Sequence, residues 1–246
     1  MRTRIVVVLA LLFAGTGISK AQSNSQFLKA NQEYAAGDFN AAATDYEELV
    51  RSRVDTPNLF YNLGNAYFRK KDFGRAILNY ERTLALDPRH PEAQANLRIA
   101  RDEARALELI PSRLERNLEF ATANQYAIVA AIAFWICAFC LAALIFNRRR
   151  TGGTIALSTL SLLICASAIF AAWELKQGKS GPGLAIVTVV SADARLATAD
   201  NANRVLALPS GSEIMVVSQR GDWIYAELPN NLKGWIPAKS AETVRF

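Results

Sequence analysis

Two long apolar runs near the middle of the chain set its organisation. Tyr126 to Phe146 covers 21 residues without a charge, and Thr154 to Trp173 covers 20. Each is long enough for a helix to cross a hydrocarbon core about 30 Å thick. Apolar residues fall on every face of both runs, a pattern that predicts a membrane hairpin rather than a pair of helices in a soluble core. The connection, residues 147–153, carries Arg148, Arg149 and Arg150, and basic residues in short loops stay on the cytoplasmic side. The hairpin is therefore expected to leave both flanking segments outside the cytoplasm. A shorter apolar run, Ile5 to Ala14, follows Arg2 and Arg4 and precedes Ser19-Lys20-Ala21. Residues 1–21 read as an export signal.

Before the hairpin the apolar positions follow a helical period and then repeat. Gly37-Asp38-Phe39 recurs as Lys71-Asp72-Phe73, Ala42 as Ala76 and Tyr46 as Tyr80, each after 34 residues. In the clearer unit Phe60, Leu63, Gly64 and Tyr67 lie on a first helix, Ala76 and Tyr80 on a second, and Asp87-Pro88 closes it. This pattern resembles the tetratricopeptide repeat, whose period is 34. Small Gly64 and Ala76 suit a close helix crossing, and Phe60, Tyr67 and Tyr80 fill the space between helices. Asp72 is expected to cap the second helix, and Thr56 before Pro57 the first. Residues 23–50 form a degenerate first unit, with Ala30 at the glycine position and Gln26 and Glu33 where large apolar residues belong. Residues 91–110 add a closing fifth helix, ending before Pro111. The repeat region is thus placed at 22–110 and a juxtamembrane linker at 111–125, read as the start of the first membrane helix.

After a linker at 174–183 the period changes to that of strands. Short β-branched runs at 185–190, 204–208, 213–218, 223–228 and 234–237 are separated by turns such as Pro209-Ser210-Gly211 and Gly221-Asp222,. Residues 184–246 resemble the bacterial SH3-like domain at Leu208, Gly211, Ile214, Val216, Gly221-Asp222-Trp223, Tyr225, Leu228 and Lys233-Gly234-Trp235-Ile236. The alanine-rich SADARLATADNAN stands where that family carries an Asn-Val-Arg run. The fold class expected is a multi-domain membrane protein: an all-α tetratricopeptide array, a two-helix transmembrane hairpin and a small all-β SH3-like barrel.

Charge adds topology and little else. The chain holds 28 basic and 22 acidic residues, but residues 22–120 carry 14 and 15, and residues 174–246 carry 8 and 7. The excess lies in Arg2, Arg4, Lys20 and the three loop arginines, so no nucleic-acid partner is expected. Cys137, Cys140 and Cys165 all lie within the apolar runs. The Cys137–Cys140 spacing has no cation nearby to lower a thiol pKa, and reads as helix packing. Gly178-Lys179-Ser180 lacks the preceding glycine of a phosphate loop. His90 is the single histidine, a turn residue without partners for a metal. No nucleophile stands with a base, so the chain reads as no enzyme, with no cofactor and no metal. Neither apolar run contains an ionisable group for an ion pathway.

The order of export signal, repeats, hairpin and strands resembles the BatE proteins of the aerotolerance operons of Bacteroides relatives. That resemblance implies a bacterial inner-membrane component, passing the membrane twice with both soluble domains in the periplasm. It also implies partners among von Willebrand A-type membrane proteins. Lipid and other membrane or periplasmic proteins are the partners expected, and the function is a membrane-anchored scaffold. The repeats imply a concave face lined by the first helix of each pair, and so the candidate contacts Asn31, Tyr34, Asn62, Asn65 and Arg69. Tyr225 and Trp235 are the candidates on the strand-rich segment. Two other readings stay open: a cell-envelope sensor whose SH3-like domain binds wall peptide or glycan, and an assembly subunit acting through its transmembrane helices.

Overall fold

The computed structural model describes residues 23–118, 120–146, 151–177 and 181–245. The export signal, the three loop arginines and the Gly-Lys-Ser at 178–180 lie outside the described residues.

Five helices form the array: α1 (23–35), α2 (Phe39–Arg51), α3 (Pro57–Arg69), α4 (Phe73–Leu86) and α5 (Pro91–Ala104). Their starts are written in the sequence. Asp38, Thr56 and Asp72 accept from the backbone N–H three residues on, at 3.0, 3.3 and 3.2 Å, satisfying donors that a helix start leaves orphaned. Leu59, Phe60, Leu63, Tyr67, Ala76 and Tyr80 are buried between helices. A Cβ at Gly64 would sit 2.8 Å from the Tyr80 ring, so that crossing needs glycine.

The turn between paired helices is copied along the chain. Gly37, Lys71 and Arg105 all take positive φ, at 85°, 61° and 51°. Each donates its N–H to the carbonyl three residues back, and the next residue donates to the one five back. In the first two copies the following Asp38 or Asp72 caps a helix that begins at Phe39 or Phe73. In the third the cap position holds Ala106 and no helix begins. Leu107, in the place of Phe39 and Phe73, packs instead against the core of the β-sheet. Its N–H donates to Ser212 Oγ at 3.1 Å and its carbonyl accepts from Glu213 N at 2.9 Å. The closing helix therefore stops well short of Pro111, and the sheet takes over at the chain position where a sixth helix would start.

Seven strands make that sheet: β1 (Leu184–Val187), β2 (Ser191–Arg195), β3 (Arg204–Pro209), β4 (Glu213–Arg220), β5 (Trp223–Glu227), β6 (Lys233–Pro237) and β7 (Ala241–Thr243). They lie in the order β3-β2-β6-β5-β4-β1-β7, which corrects the expectation of an SH3-like barrel. The sheet is open and antiparallel, with β3 and β7 at its two edges. Closure would require those edges to pair, and β7 is engaged by α4 instead, where Arg82 Nη2 donates to Thr243 O at 3.1 Å. The two strands missed in the sequence are β2 and β7. β2 is built from Ala192 and Ala194, poor strand formers chosen for size: a Cβ on the facing Gly234 would lie 3.2 Å from Ala194 Cβ,. Ala194, Leu208, Ile214, Ala226, Leu228 and Ile236 form its core.

Helices and sheet, the described residues 23–108 and 185–245, form one compact unit. Gly74 of α4 shows how closely they meet, since a Cβ there would fall 2.3 Å from Ser210 Oγ and 2.9 Å from Val187 O. At the same junction Arg101 of α5 bonds Glu81 and Glu213 and lies 3.1 Å from Glu108.

Residues 109–184 form the second unit. The short helix α6 (Arg113–Leu118) is separate from α7 (Ala123–Phe146), where one continuous helix was expected. Thr122 explains the break: its Oγ1 accepts from Gln125 N at 3.3 Å while its own N–H donates to Gln125 Oε1 at 2.8 Å, a capping box that starts a new helix. α7 and α8 (Gly152–Gln177) pack through small side chains, Ala130, Ala133 and Cys137 with Ser158, Ser161, Cys165 and Ala168 buried. Phe134, Trp135, Phe139 and Leu163 face outward. Small residues inside and bulky apolar ones outside is the arrangement of helices in lipid, and both helices are long and apolar enough to cross a membrane.

Candidate functional site

The first helices of the pairs, α1, α3 and α5, share a set of polar contacts that recurs with the 34-residue period. Asn31 Oδ1 accepts from Tyr46 OH at 2.6 Å and from Asn62 Nδ2 at 3.0 Å. One repeat later Asn65 Oδ1 accepts from Tyr80 OH at 2.8 Å and from Asn96 Nδ2 at 2.9 Å. Each asparagine oxygen thus ties the second helix of its own pair to the first helix of the next. With both lone pairs used, the side-chain amides of Asn31 and Asn65 are held in one orientation. Among the described residues their Nδ2 groups donate to no protein acceptor, so these donors are presented rather than consumed.

Tyr34 and Arg69 converge on one ring. Tyr34 meets Phe39 edge-on with centroids 5.2 Å apart, and the Arg69 guanidinium stands over the same ring at 4.6 Å, a cation–π contact. Phe68 and Phe73 repeat the edge-on pair at 5.5 Å. The structure therefore brings Asn31 and Asn62 into direct contact and joins Tyr34 to Arg69 through Phe39, while Asn65 belongs to the next rung. Asn96 and Phe39 complete these clusters and were not among the sequence candidates. The period alone points to both, since Asn96 follows Asn62, and Phe39 precedes Phe73, by 34 residues.

Burial governs the tyrosines behind this face. Tyr46 is pushed up to about 12 because burial disfavours the phenolate,. Tyr67 and Tyr80 are raised further for the same reason, and Tyr67 also donates a short hydrogen bond to Glu47. These hydroxyls are donors at neutral pH, not bases. His90 caps α5, with Nδ1 accepting from Ala93 N at 3.3 Å and its ring 4.9 Å from Tyr61. Pro88 is exposed, its carbonyl accepting from Gln94 at 2.9 Å.

On the sheet, Tyr225 of β5 and Trp235 of β6 are directly opposite, with ring centroids 5.0 Å apart. Arg195 faces Trp235 from β2 and Ser218 faces Tyr225 from β4, so one cross-strand row carries all four. Both rings are half-buried.

Among the described residues no group of three or more His, Cys, Asp or Glu side chains is placed to hold a metal ion. Cys137 and Cys165 are buried within the paired apolar helices, and Cys137 Sγ lies 3.7 Å from Ser158 Oγ. Neither a metal-based nor a cysteine-based catalytic site is present among the described residues. What the repeat face offers is recognition: fixed amide donors, a guanidinium on an aromatic ring, and half-buried tyrosines.

Residues 27–91 and 61–109 match the tetratricopeptide repeat family in two overlapping windows. No curated protein matches the chain. The BatE resemblance, and the aerotolerance role and von Willebrand A-type partners inferred from it, therefore find no relative to rest on, and the open sheet removes its SH3-like component. With that component go the two-module scaffold and the wall-binding sensor, as both required an SH3-like domain. What remains established is a tetratricopeptide-like region over residues 27–109, of a kind that generally serves protein–protein interaction and is generally non-catalytic.

Proposed function

We propose that the chain is a membrane-held protein-binding module whose repeat face grips an extended segment of a partner protein. The observation that carries this reading is the duplicated asparagine arrangement, which sets Asn31 Nδ2 and Asn65 Nδ2 one repeat apart as donors for main-chain carbonyls. Tyr34 and Arg69 flank them, and Asn62 links the two rungs. The Tyr225–Trp235 pair is proposed as a second, smaller contact surface, with Arg195 beside it.

The hairpin is proposed to sit in a bacterial inner membrane with its arginine loop in the cytoplasm. Two arguments support that topology. Basic loops of this length stay inside. Independently, residues before 109 and after 184 build one packed unit, and two spans between them return the chain to the side it left.

A photo-crosslinking amino acid placed at Tyr34 or Arg69 of the full chain in native membranes tests the reading. A discrete adduct with another polypeptide is expected from both positions, and none from exposed Thr44 of α2. Adducts of equal yield from all three positions would remove the repeat face from consideration. Digestion of both soluble segments from the cytoplasmic side alone would overturn the topology.

A further inference from the structure

At the end of the hairpin where α7 starts, α6 and the residues beside it leave bulky apolar side chains uncovered. Ile110, Leu114 and Phe120 are 64%, 42% and 82% exposed. We propose that α6 lies in the headgroup layer of the membrane that α7 and α8 cross. Leu114 and Phe120 enter the acyl boundary, and Arg113 and Arg116 hold the phosphates of anionic phospholipids. The proposal rests on the reading of α7 and α8 as membrane spans.

Depth and direction supply the first observation. Tyr126 is the first residue of the charge-free run, and its hydroxyl donates to Leu118 O at 3.1 Å. The Phe120 ring meets the Tyr126 ring edge-on, with centroids 5.7 Å apart. The C-terminal end of α6 is thereby fixed at the level where the apolar run begins. α6 also packs against α8, so it reaches sideways across the end of the helix pair and does not extend α7. Six residues make a helix about 9 Å long, and the headgroup zone is about 5–8 Å deep on each side of a bilayer. A helix that ends beside Tyr126 and runs sideways stays within that zone.

Charge supplies the second. Within α6, Glu115 is 5% exposed, whereas Arg113 and Arg116 are both exposed. Among the described residues neither guanidinium has an ion-pair or hydrogen-bond partner. Three positions apart on a helix, the two arginines share a face, while Leu114 lies about 100° round from Arg113, on the flank it shares with Leu118. α6 therefore offers two unpaired cations on one side and an apolar edge on the other. The planar guanidinium fork matches a phosphate, and the long aliphatic stems of arginine run along apolar surface while the heads reach polar groups. Bulky apolar side chains beside basic ones are the composition of a helix held at a lipid interface. Tyr126 adds an amphipathic ring of the kind favoured there. Because Phe120 and Tyr126 are in contact, the apolar edge is continuous with the start of α7, and the lipid around that span is what covers it.

A diazirine amino acid placed singly at Leu114, Phe120 or Phe139 of the full chain tests the proposal. The chain is held in nanodiscs of equal parts phosphatidylglycerol and phosphatidylcholine, and adducts are read by mass spectrometry. Phe139, on the outward face of α7, reports whether the hairpin itself is in lipid. Lipid adducts are expected at Leu114 and Phe120 in yields of the same order as at Phe139. At Leu114 phosphatidylglycerol is expected to exceed phosphatidylcholine by about threefold or more, and Arg113→Gln with Arg116→Gln should bring the two lipids to parity. Water adducts alone at Leu114 and Phe120, with lipid adducts at Phe139, overturn the proposal and leave the hairpin standing. Loss of lipid adducts at Phe139 as well removes the hairpin reading and the proposal together. An adduct joining Leu114 to a second copy of the chain, or to another polypeptide when the measurement is repeated in native membranes, means that protein covers the edge and overturns the proposal. Parity of the two lipids in the unsubstituted chain does the same, as does a preference unchanged in the double variant.

Discussion

Arg101 of α5 and Glu213 of β4, 112 residues apart in sequence, form an ion pair in which the glutamate side chain has no solvent exposure. The same guanidinium bonds Glu81 of α4. Arg101 stands 34 residues after Tyr67, and Glu81 34 after Glu47, so the pair repeats the Tyr67–Glu47 contact of the previous rung with a cation in place of the phenol. That exchange lets the third rung hold a strand-borne carboxylate that the second does not meet.

Arg101→Ala is accordingly expected to be strongly destabilising. Removing one partner of a buried pair leaves an uncompensated charge, at a cost of about 3–5 kcal/mol. Denaturant unfolding of the full chain in detergent, followed by circular dichroism, measures it. Arg101→Met combined with Glu213→Leu should recover a large part of the loss, and a double variant no better than Arg101→Ala would show that the ion pair is not what the junction depends on.

Gly74→Ala tests the fit of sheet against helix. The new Cβ meets a backbone carbonyl that cannot turn aside, and overpacking of this kind costs about 1–3 kcal/mol. Ordinary helix propensity would instead favour alanine by about 1 kcal/mol. Loss of stability, with faster proteolysis of residues 185–245, is expected, and a gain would mean that the junction yields.

Asn65→Ala removes the acceptor shared by Tyr80 and Asn96. With Tyr80 buried, a cost of about 1–3 kcal/mol is expected. Asn31→Ala, which removes the acceptor shared by Tyr46 and Asn62, should cost a similar amount, because Tyr46 is as deeply buried as Tyr80. Both variants should lose the crosslinked partner expected from Tyr34. Capture retained at full yield by a folded Asn65→Ala variant would rule out the amide donors as contacts.

Alkaline stability follows from the tyrosines. Tyr46, Tyr67 and Tyr80 are raised by burial in the folded state, against about 10 in an unfolded chain. Their contribution is complete below about pH 10 and is lost as pH rises towards their folded values. Helicity should therefore fall above about pH 10 together with a late rise in phenolate absorbance. Tyr80→Phe should shift that loss to higher pH relative to its own neutral stability. Complete ionisation with helicity intact would contradict the assignment.

The helical half of the fold was legible because its rules are local. Thr56-Pro57 and Asp72 announce helix starts, and a 34-residue period can be read from Tyr46 and Tyr80 alone. The apolar hairpin was legible by length. Five of the seven strands were legible as short β-branched runs, but the open arrangement of the sheet and its other two strands were not, for reasons that lie in particular residues. β2 consists of alanines alternating with Asp193 and Arg195, selected by the closeness of Gly234 and invisible to strand propensity. β7 has three residues, Ala241–Thr243, and its place at an edge against α4 is a tertiary fact. The sequence matches at Gly221-Asp222-Trp223 and at Lys233-Gly234-Trp235-Ile236 marked two real strands, β5 and β6, but carried no information on closure. Of the site candidates, the asparagines were found by type and period. Their mutual hydrogen bonds depend on how far apart successive first helices pack, which no single helix reveals.

Ala106 in the place of a capping aspartate has a consequence for the order of synthesis. Residues 23–104 emerge first and can form their five helices by local contacts, yet the surface of Ile77 and Leu107 has no cover until residues 185–245 follow, after the hairpin. The half-finished chain thus carries a temporary sticky end, open to wrong pairings, and the last strands to be made are the ones that close it.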